Sequence, residues 1–150
     1  MDKELRLARW IYALLAAALC GGILAVLAMP LLMRWLGHFY ANIYRYYWPH
    51  VVLFMLSGSG AVIIVWQLRR MFRTVLDRNC FVWQNVRSLR CMGRVALAMA
   101  LVIALRLLLV FTPATVILVL VFLLAGLFAL VLAGVFAQAV QYKEENDLTI

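Results

Sequence analysis

Four long apolar runs dominate the chain and decide which folds are open to it. They cover about residues 10–33, 51–68, 95–111 and 115–137. A helix that crosses a bilayer needs about 20 mostly apolar residues, and each run approaches or exceeds that length. Only 13% of the residues are charged and 68% are hydrophobic, which is too few polar groups to cover a water-soluble surface. We therefore predict one all-α integral membrane domain over residues 1–150, with four transmembrane helices in a bundle.

The distribution of arginines predicts the orientation of these helices. Seven arginines fall in the basic loop, residues 69–94, whereas residues 34–50 contain two. Loops rich in Lys and Arg stay on the cytoplasmic side of a membrane. We therefore place the basic loop, the N-terminus and the acidic tail (residues 138–150) in the cytoplasm, and residues 34–50 and 112–114 outside. The chain is then a multi-pass membrane protein with both termini in the cytoplasm. Its net charge of +8 reflects topology, and no direct nucleic-acid binding is expected.

Small residues recur at every fourth position in three of the runs, which places them on one face of each helix. Helices in lipid pack closely through such residues, so the stripes predict a tightly packed bundle, and they also allow a homodimer. The alternative is that alanine is simply common in membrane helices. The stripes are Ala13, Ala17, Gly21 and Ala25 in the first run, Ala96, Ala100 and Ala104 in the third, and Ala125, Ala129, Ala133 and Ala137 in the fourth.

Arg106 is the one charged residue inside the four runs. An arginine at the centre of a membrane helix costs about 2.5–3.5 kcal/mol on insertion scales, and no Asp or Glu lies in any run to pair with it. Two interpretations are open. The side chain either snorkels to the phosphates of the outer leaflet, or faces the bundle as a polar anchor or a contact for an anionic ligand.

Residues 34–50 are rich in aromatic side chains. Trp35, Phe39, Ile43 and Tyr47 recur every four residues, which predicts a helix lying in the membrane interface, where Trp and Tyr are favoured. An aromatic belt is the simpler interpretation, and a surface that senses a lipid or a peptide is the alternative. The sensing or lipid-contact residues in that alternative are Trp35, His38, Asn42, Arg45 and Arg106.

Within the basic loop we predict that the second helix ends near Leu76 and that residues 77–80 form a turn. A new helix should begin near Phe81 and continue into the third run. Asn79 is the turn residue expected to tolerate left-handed geometry. One face of the new helix is apolar, and its arginines fall elsewhere, where they can reach lipid phosphates or acidic groups. The apolar face comprises Val82, Val86, Leu89 and Gly93, and the arginines are Arg87, Arg90 and Arg94.

No catalytic, metal-binding or cofactor-binding constellation stands out. The three cysteines lack the spacing of a zinc motif, and the two histidines are predicted on the opposite side of the membrane from Cys80 and Cys91. The runs contain no Asp, Glu or His, and Ser57 and Ser59 have no partner base. We expect no enzymatic activity, no metal and no cofactor.

The second half of the chain resembles a known family. "CFVWQNVRSLRCMG", followed by two apolar runs and the ending "KEENDLTI", is similar to the bacterial membrane family catalogued as domain of unknown function 2975. Cys80 stands where that family often has Pro. The resemblance implies no established activity. Some members are encoded beside small Cro-type helix-turn-helix regulators, which implies a membrane partner for such a regulator. The residues that match the family pattern are Phe81, Asn85, Leu89, Arg90 and Gly93, with the ending at Asn146 to Ile150.

These features favour a non-enzymatic regulatory or interaction protein. It would hold a small cytoplasmic helix-turn-helix regulator at the membrane in response to an outer-face or lipid signal. The acidic tail is expected to dock near the arginines of the basic loop, with simple solvation of a helix end as the alternative. Other candidate functions are a small transporter or channel component, or a lipid-binding membrane protein. The hypothetical partner-binding residues are Phe81, Asn85, Arg87, Leu89, Arg90, Arg94, Glu144, Glu145, Asn146 and Asp147.

Overall fold

The computed structural model describes residues 2–37, 47–107, 111 and 113–148, without the side chains of residues 2–5, 37 and 50. These residues form four α-helices and no strands. Each helix is long and apolar enough to cross a membrane. The prediction of an all-α chain with four such helices is therefore confirmed, whereas the predicted outer helix falls largely outside the described residues. The helices are α1 (Asp2–Gly37), α2 (Tyr47–Leu76), α3 (Trp83–Leu107) and α4 (Pro113–Leu148).

The helices extend well beyond the apolar runs that predicted them. The hydrocarbon core of a bilayer is about 30 Å thick, whereas α4 with 36 residues is about 54 Å long. Residues 138–148, predicted as a separate tail, are the last three turns of this helix. Pro113, which belongs to the predicted outer segment 112–114, is the first residue of α4, where its missing N–H leaves no hydrogen bond unmade.

Each helix packs against its neighbours in the chain, and α2 and α3 are the two inner helices. α1 contacts α2, α2 contacts α3, and α3 contacts α4. Within the described residues, no Cα of α1 lies within 8 Å of a Cα of α3 or α4, and none of α2 lies that close to α4. The bundle is therefore open, with α1 at its edge.

The α3–α4 interface is the closest helix crossing. A Cβ built on Gly93 would lie 3.0 Å from the carbonyl oxygen of Gly126, and a Cβ built on Gly126 would lie 3.0 Å from that of Gly93. Buried residues along α3 alternate at spacings of three and four, which is the pattern of left-handed packing at about 20°. They are Val86, Leu89, Gly93, Ala96 and Ala100, and on α4 the buried Gly126, Ala133 and Val140 follow at spacings of seven.

The small-residue stripes predict this packing only in part. Ala96 and Ala100 of α3 are buried as expected, and Ala133 of α4 is buried. The α4 seam, however, runs through Gly126 and not through the exposed Ala125. On α1 the prediction is wrong within this chain, because all four small residues of the stripe are exposed and Gly21 has no neighbour that a Cβ would meet within 4 Å.

The α2–α3 connection is a short turn, close to the prediction. α2 ends at Leu76 as expected, and α3 begins at Trp83, two residues after Phe81. Asn79 N–H donates to the carbonyl of Thr74 at 3.0 Å, and Arg78 N–H to that of Val75 at 3.1 Å. These two bonds form a Schellman motif. Its left-handed residue is Arg78, with φ 54°, and not Asn79, because the position of the helix end decides which residue must turn.

Candidate functional site

Asn85, in the first turn of α3, ties three segments together. Its side chain is 1% exposed, and Nδ2 donates to Thr74 Oγ1 at 2.7 Å and to the Cys80 carbonyl at 2.7 Å. The Thr74 hydroxyl in turn donates to the Met71 carbonyl at 2.7 Å. The last turn of α2, the connection and the start of α3 are thereby joined. Asn85 was predicted to contact a partner, but burial gives it a structural role instead.

Two other residues of the family pattern differ in accessibility. Leu89 is 5% exposed and packs inside the bundle, so we remove it with Asn85 from the candidate partner surface. Phe81 is 48% exposed, and its ring centroid lies 5.7 Å from that of Phe136 on α4. The Phe81 ring therefore contacts α4 and is still partly accessible to a partner.

The arginines of α3 form an exposed row on the face opposite the buried residues. Arg87, Arg90 and Arg94 are all exposed, at the helical spacing expected for one face. Burial of Val86, Leu89 and Gly93 confirms the apolar face predicted for this helix, while Val82 is half-buried. The row is accessible from outside the bundle along about two helical turns.

The acidic end of α4 lies beside the start of α3. Glu144 Oε1 accepts a hydrogen bond from Trp83 Nε1 at 2.9 Å, and Lys143 Nζ donates to Asn79 Oδ1 at 2.9 Å. Residues 141–148 are exposed and helical. The acidic end, defined as Glu144, Glu145, Asn146 and Asp147, is therefore held next to the turn. Its pairing with the three arginines of α3 stays a prediction.

A second group of arginines lies at the same end of the bundle, between α1 and α2. The guanidinium carbon of Arg69 lies 4.7 Å from the centroid of the Tyr12 ring, within the range of a cation–π contact. Arg69, Arg70, Arg73, Tyr12 and Trp66 line a small pocket of about 110 Å³. The sequence indicated only that these arginines determine the orientation of the helices in the membrane, since no sequence pattern pairs Tyr12 with Arg69.

Arg106 faces the neighbouring helix. Its guanidinium carbon lies 5.5 Å from the centroid of the Phe54 ring on α2, and its Nε is buried without a hydrogen-bond partner among the described residues. The side chain borders a cavity of about 210 Å³. Of the two interpretations that the sequence left open, this placement favours a residue that faces the bundle.

The remaining predicted residues are less informative. Trp35 is 64% exposed at the end of α1, as an interfacial tryptophan would be. His38, Asn42 and Arg45 lie outside the described residues. The three cysteines are free, and Cys91 Sγ accepts a hydrogen bond from Gln67 Nε2 at 3.5 Å. In the described part of the chain, no group of three His, Cys, Asp or Glu residues is arranged to hold a metal ion.

Four helices of membrane-spanning length and composition, with a charged end and an apolar remainder, define a chain of the multi-pass membrane type. The chain belongs to the family described as "Protein of unknown function (DUF2975)", which it matches over residues 31–150. The match confirms the family resemblance and extends it from the second half of the chain to all of α2. No curated protein and no solved structure shows significant similarity to the chain.

Proposed function

We propose that the protein is a non-enzymatic membrane protein that holds a small helix-turn-helix regulator at the cytoplasmic face of the bacterial inner membrane. The observation that carries the proposal is the charged end of the bundle. There the acidic end of α4 is fixed beside the α2–α3 turn by two hydrogen bonds, with the arginine row of α3 exposed nearby.

Charge complementarity supports a DNA-binding partner. A helix-turn-helix protein contacts DNA phosphates through a basic surface. The acidic end of α4 offers Glu144, Glu145 and Asp147 within four positions, on an exposed helix. Complementary charges steer two proteins together and fix their orientation. The acidic end would therefore compete with DNA for the regulator, and release of the regulator would restore its DNA binding.

Orientation is the first part of the proposal to test. Seven arginines in residues 69–94 favour a cytoplasmic turn. In a variant that keeps Cys80 and carries Cys20→Ser and Cys91→Ser, a membrane-impermeant maleimide should label Cys80 only after the cells are opened. Labelling of Cys80 in intact cells would reverse the proposed orientation, and the partner would then have to be external.

Partner binding is tested by co-expression with the small helix-turn-helix protein encoded in a neighbouring reading frame. We expect the two proteins to co-purify in detergent. Deletion of residues 143–150, or the triple change Glu144→Gln, Glu145→Gln and Asp147→Asn, should abolish co-purification. The absence of such a reading frame, or retention of the regulator by both variants, would refute the proposal.

A matched control distinguishes a specific contact of the α3 arginines from a general effect of positive charge. Replacing Arg87, Arg90 and Arg94 with glutamine removes three positive charges from the α3 row, and so does replacing Arg9, Arg70 and Arg73, which are exposed elsewhere on the same end of the bundle. If the α3 row contacts the regulator, only the first variant should weaken binding. Equal weakening by both variants would indicate a general electrostatic effect. A transporter would instead show solute-dependent flux in proteoliposomes.

A further inference from the structure

The cavity beside Arg106 combines an apolar wall with one cation. Its volume of about 210 Å³ exceeds the roughly 150 Å³ of an engineered cavity that binds benzene. Apolar side chains from three helices form most of the wall, together with the Ser57 hydroxyl and the Arg106 guanidinium. The lining residues are Leu53, Phe54 and Ser57 of α2, Met99, Val102, Ile103 and Arg106 of α3, and Leu118 and Phe122 of α4.

No acidic residue of the chain can reach Arg106. The six acidic residues are Asp2, Glu4, Asp77, Glu144, Glu145 and Asp147, and all belong to the N-terminal end, the α2–α3 turn or the last turns of α4. Arg106 lies at the other end of α3, in its last described turn. An arginine in an apolar setting is costly without a counter-charge, so the compensating anion has to come from another molecule.

The cavity lies between α2 and α4, on a side where these two helices do not pack closely against each other. Both helices line it, yet none of their Cα atoms approach within 8 Å of each other. Leu118, on the α4 wall, is 45% exposed. The space between these two helices is the side from which a lipid chain would enter.

The direction of the cavity matches that of a phospholipid. Arg106 is at one end, and Val102, Ile103 and Met99 follow along α3 toward the middle of the helix. Arg106 and Met99 are seven residues apart, which corresponds to about 10 Å along the helix axis. A phosphate beside the guanidinium would thus place an acyl chain along the apolar wall.

We propose that this cavity binds one anionic phospholipid, whose phosphate pairs with the Arg106 guanidinium and one of whose acyl chains lies between α2 and α4. The Phe54 ring contacts the guanidinium from one side, which leaves the terminal nitrogens as the donors for the phosphate. Guanidinium–phosphate hydrogen bonds are charge-assisted and frequently paired, so they are among the stronger ones in proteins. The proposal does not depend on the regulator, because the site lies at the other end of the bundle.

Native mass spectrometry of the whole protein in a neutral detergent tests the proposal with four probes. Short-chain phosphatidylglycerol supplies both the anionic phosphate and the chains. Phosphatidylcholine of the same chain length adds a cation to the head group, diacylglycerol lacks the phosphate, and glycerol phosphate lacks the chains. We expect one phosphatidylglycerol to bind with the highest affinity, and diacylglycerol and glycerol phosphate to bind at least tenfold more weakly.

Variants of the residues that line the cavity separate the contribution of the Arg106 charge to lipid binding from that of the acyl chain. Arg106→Met should weaken phosphatidylglycerol binding by about 10- to 100-fold, as expected for loss of a charge-assisted hydrogen bond, whereas Arg106→Lys should retain most of the affinity. Val102→Phe and Ile103→Phe fill the cavity and should reduce binding while Arg106 stays in place. The matched control is Leu105→Phe, which alters the 53% exposed outer side of the same helix and should bind normally.

Three results would overturn the proposal. Unchanged affinity in Arg106→Met, or in both cavity-filling variants, would exclude this cavity as the site. Binding of glycerol phosphate as tightly as phosphatidylglycerol would reduce Arg106 to a snorkelling contact with head groups. Saturation at several lipids with equal affinities would indicate only an annular lipid shell. Retention of the regulator by the acidic-end variants, which would refute the proposed function, would leave all three lipid measurements unaffected, so the two proposals fail independently.

Discussion

α1 and α3 have similar small-residue patterns but different surroundings. Both carry small residues at every fourth position, yet those of α1 are exposed, whereas Ala96 and Ala100 of α3 are buried. α3 lies between two helices and α1 contacts only α2. The difference shows that a stripe of small residues becomes an interface only where another helix covers that face, as α4 covers α3 where Gly126 lies opposite Gly93.

The family match also separates α1 from the other three helices. It begins at residue 31, close to the end of α1, and covers α2, α3 and α4 completely. The matched part contains the close α3–α4 crossing, the turn fixed by Asn85 and the cavity beside Arg106. The matched region therefore contains three complete helices, whereas most of α1 lies outside it.

The largest expected difference in stability is between two substitutions that enlarge a glycine, one in α3 and the other in α1. Gly93→Leu should destabilise the protein by about 3 kcal/mol or more, because a side chain there meets the Gly126 backbone, which cannot move aside. Gly21→Leu should change stability by less than about 0.5 kcal/mol, since nothing lies within 4 Å of its Cβ position. Chemical unfolding in detergent measures both values. Equal effects of the two substitutions would contradict the inner position of α3.

A second prediction concerns the polar contacts that hold the start of α3. Asn85→Ala should cost about 2–3 kcal/mol, because it removes a buried side chain that donates to both the Cys80 carbonyl and the Thr74 hydroxyl. Asn79→Ala is the matched control. Its side chain is exposed and accepts one bond from Lys143, so the cost should stay below about 0.5 kcal/mol. A similar cost for both asparagines would mean that the Asn85 contacts contribute little.

A third, smaller effect is expected at the turn that enters α3. Arg78 adopts φ 54°, a left-handed conformation that costs an L-residue about 1–2 kcal/mol. Arg78→Gly should therefore stabilise the protein by up to about 1 kcal/mol. Arg87→Gly, inside α3, removes the same charge but should destabilise by about 1 kcal/mol. Unfolding midpoints that shift in the same direction in the two variants would rule out this conformational explanation.

The smallest effect is expected where the end of α4 meets α3. Trp83→Phe removes the hydrogen bond to Glu144 and should lower stability by about 0.5 kcal/mol, because both groups are exposed. Hydrogen exchange offers a local measurement. Amides of residues 141–148 should exchange faster in this variant, while those around Gly93 should be unaffected. Unchanged exchange at the acidic end would show that Trp83 does not restrain it.

The sequence predicted the four helices and the position of the α2–α3 turn because both depend on local signals. Apolar length sets the helices, and a break in apolar periodicity sets the turn. The stripe prediction on α1 was wrong because periodicity identifies a face of a helix but not the neighbour that covers it. On α4 the buried seam has a spacing of seven and passes through Gly126, which a search at spacings of four does not find.

Prediction of the candidate site was limited for a related reason. Asn85 and Leu89 belong to the family pattern, and recurrence in a pattern does not distinguish a contact with a partner from a buried structural residue. The structure assigns both to the interior. Conversely, the Tyr12–Arg69 and Phe54–Arg106 contacts join residues far apart in the chain, and composition gives no sign of either.

The continuity of α4 has a mechanical consequence. The helix runs without interruption from Pro113 to Leu148 and is about 54 Å long, so a change of its tilt at one end displaces the other end. Leu118 and Phe122, near its first end, border the cavity, whereas Glu144 is near the other end. For a rod of about this length, a tilt of about 10° around the first end displaces the far end by about 9 Å. Any tilt of α4 at its first end would thus produce a larger displacement at the acidic end.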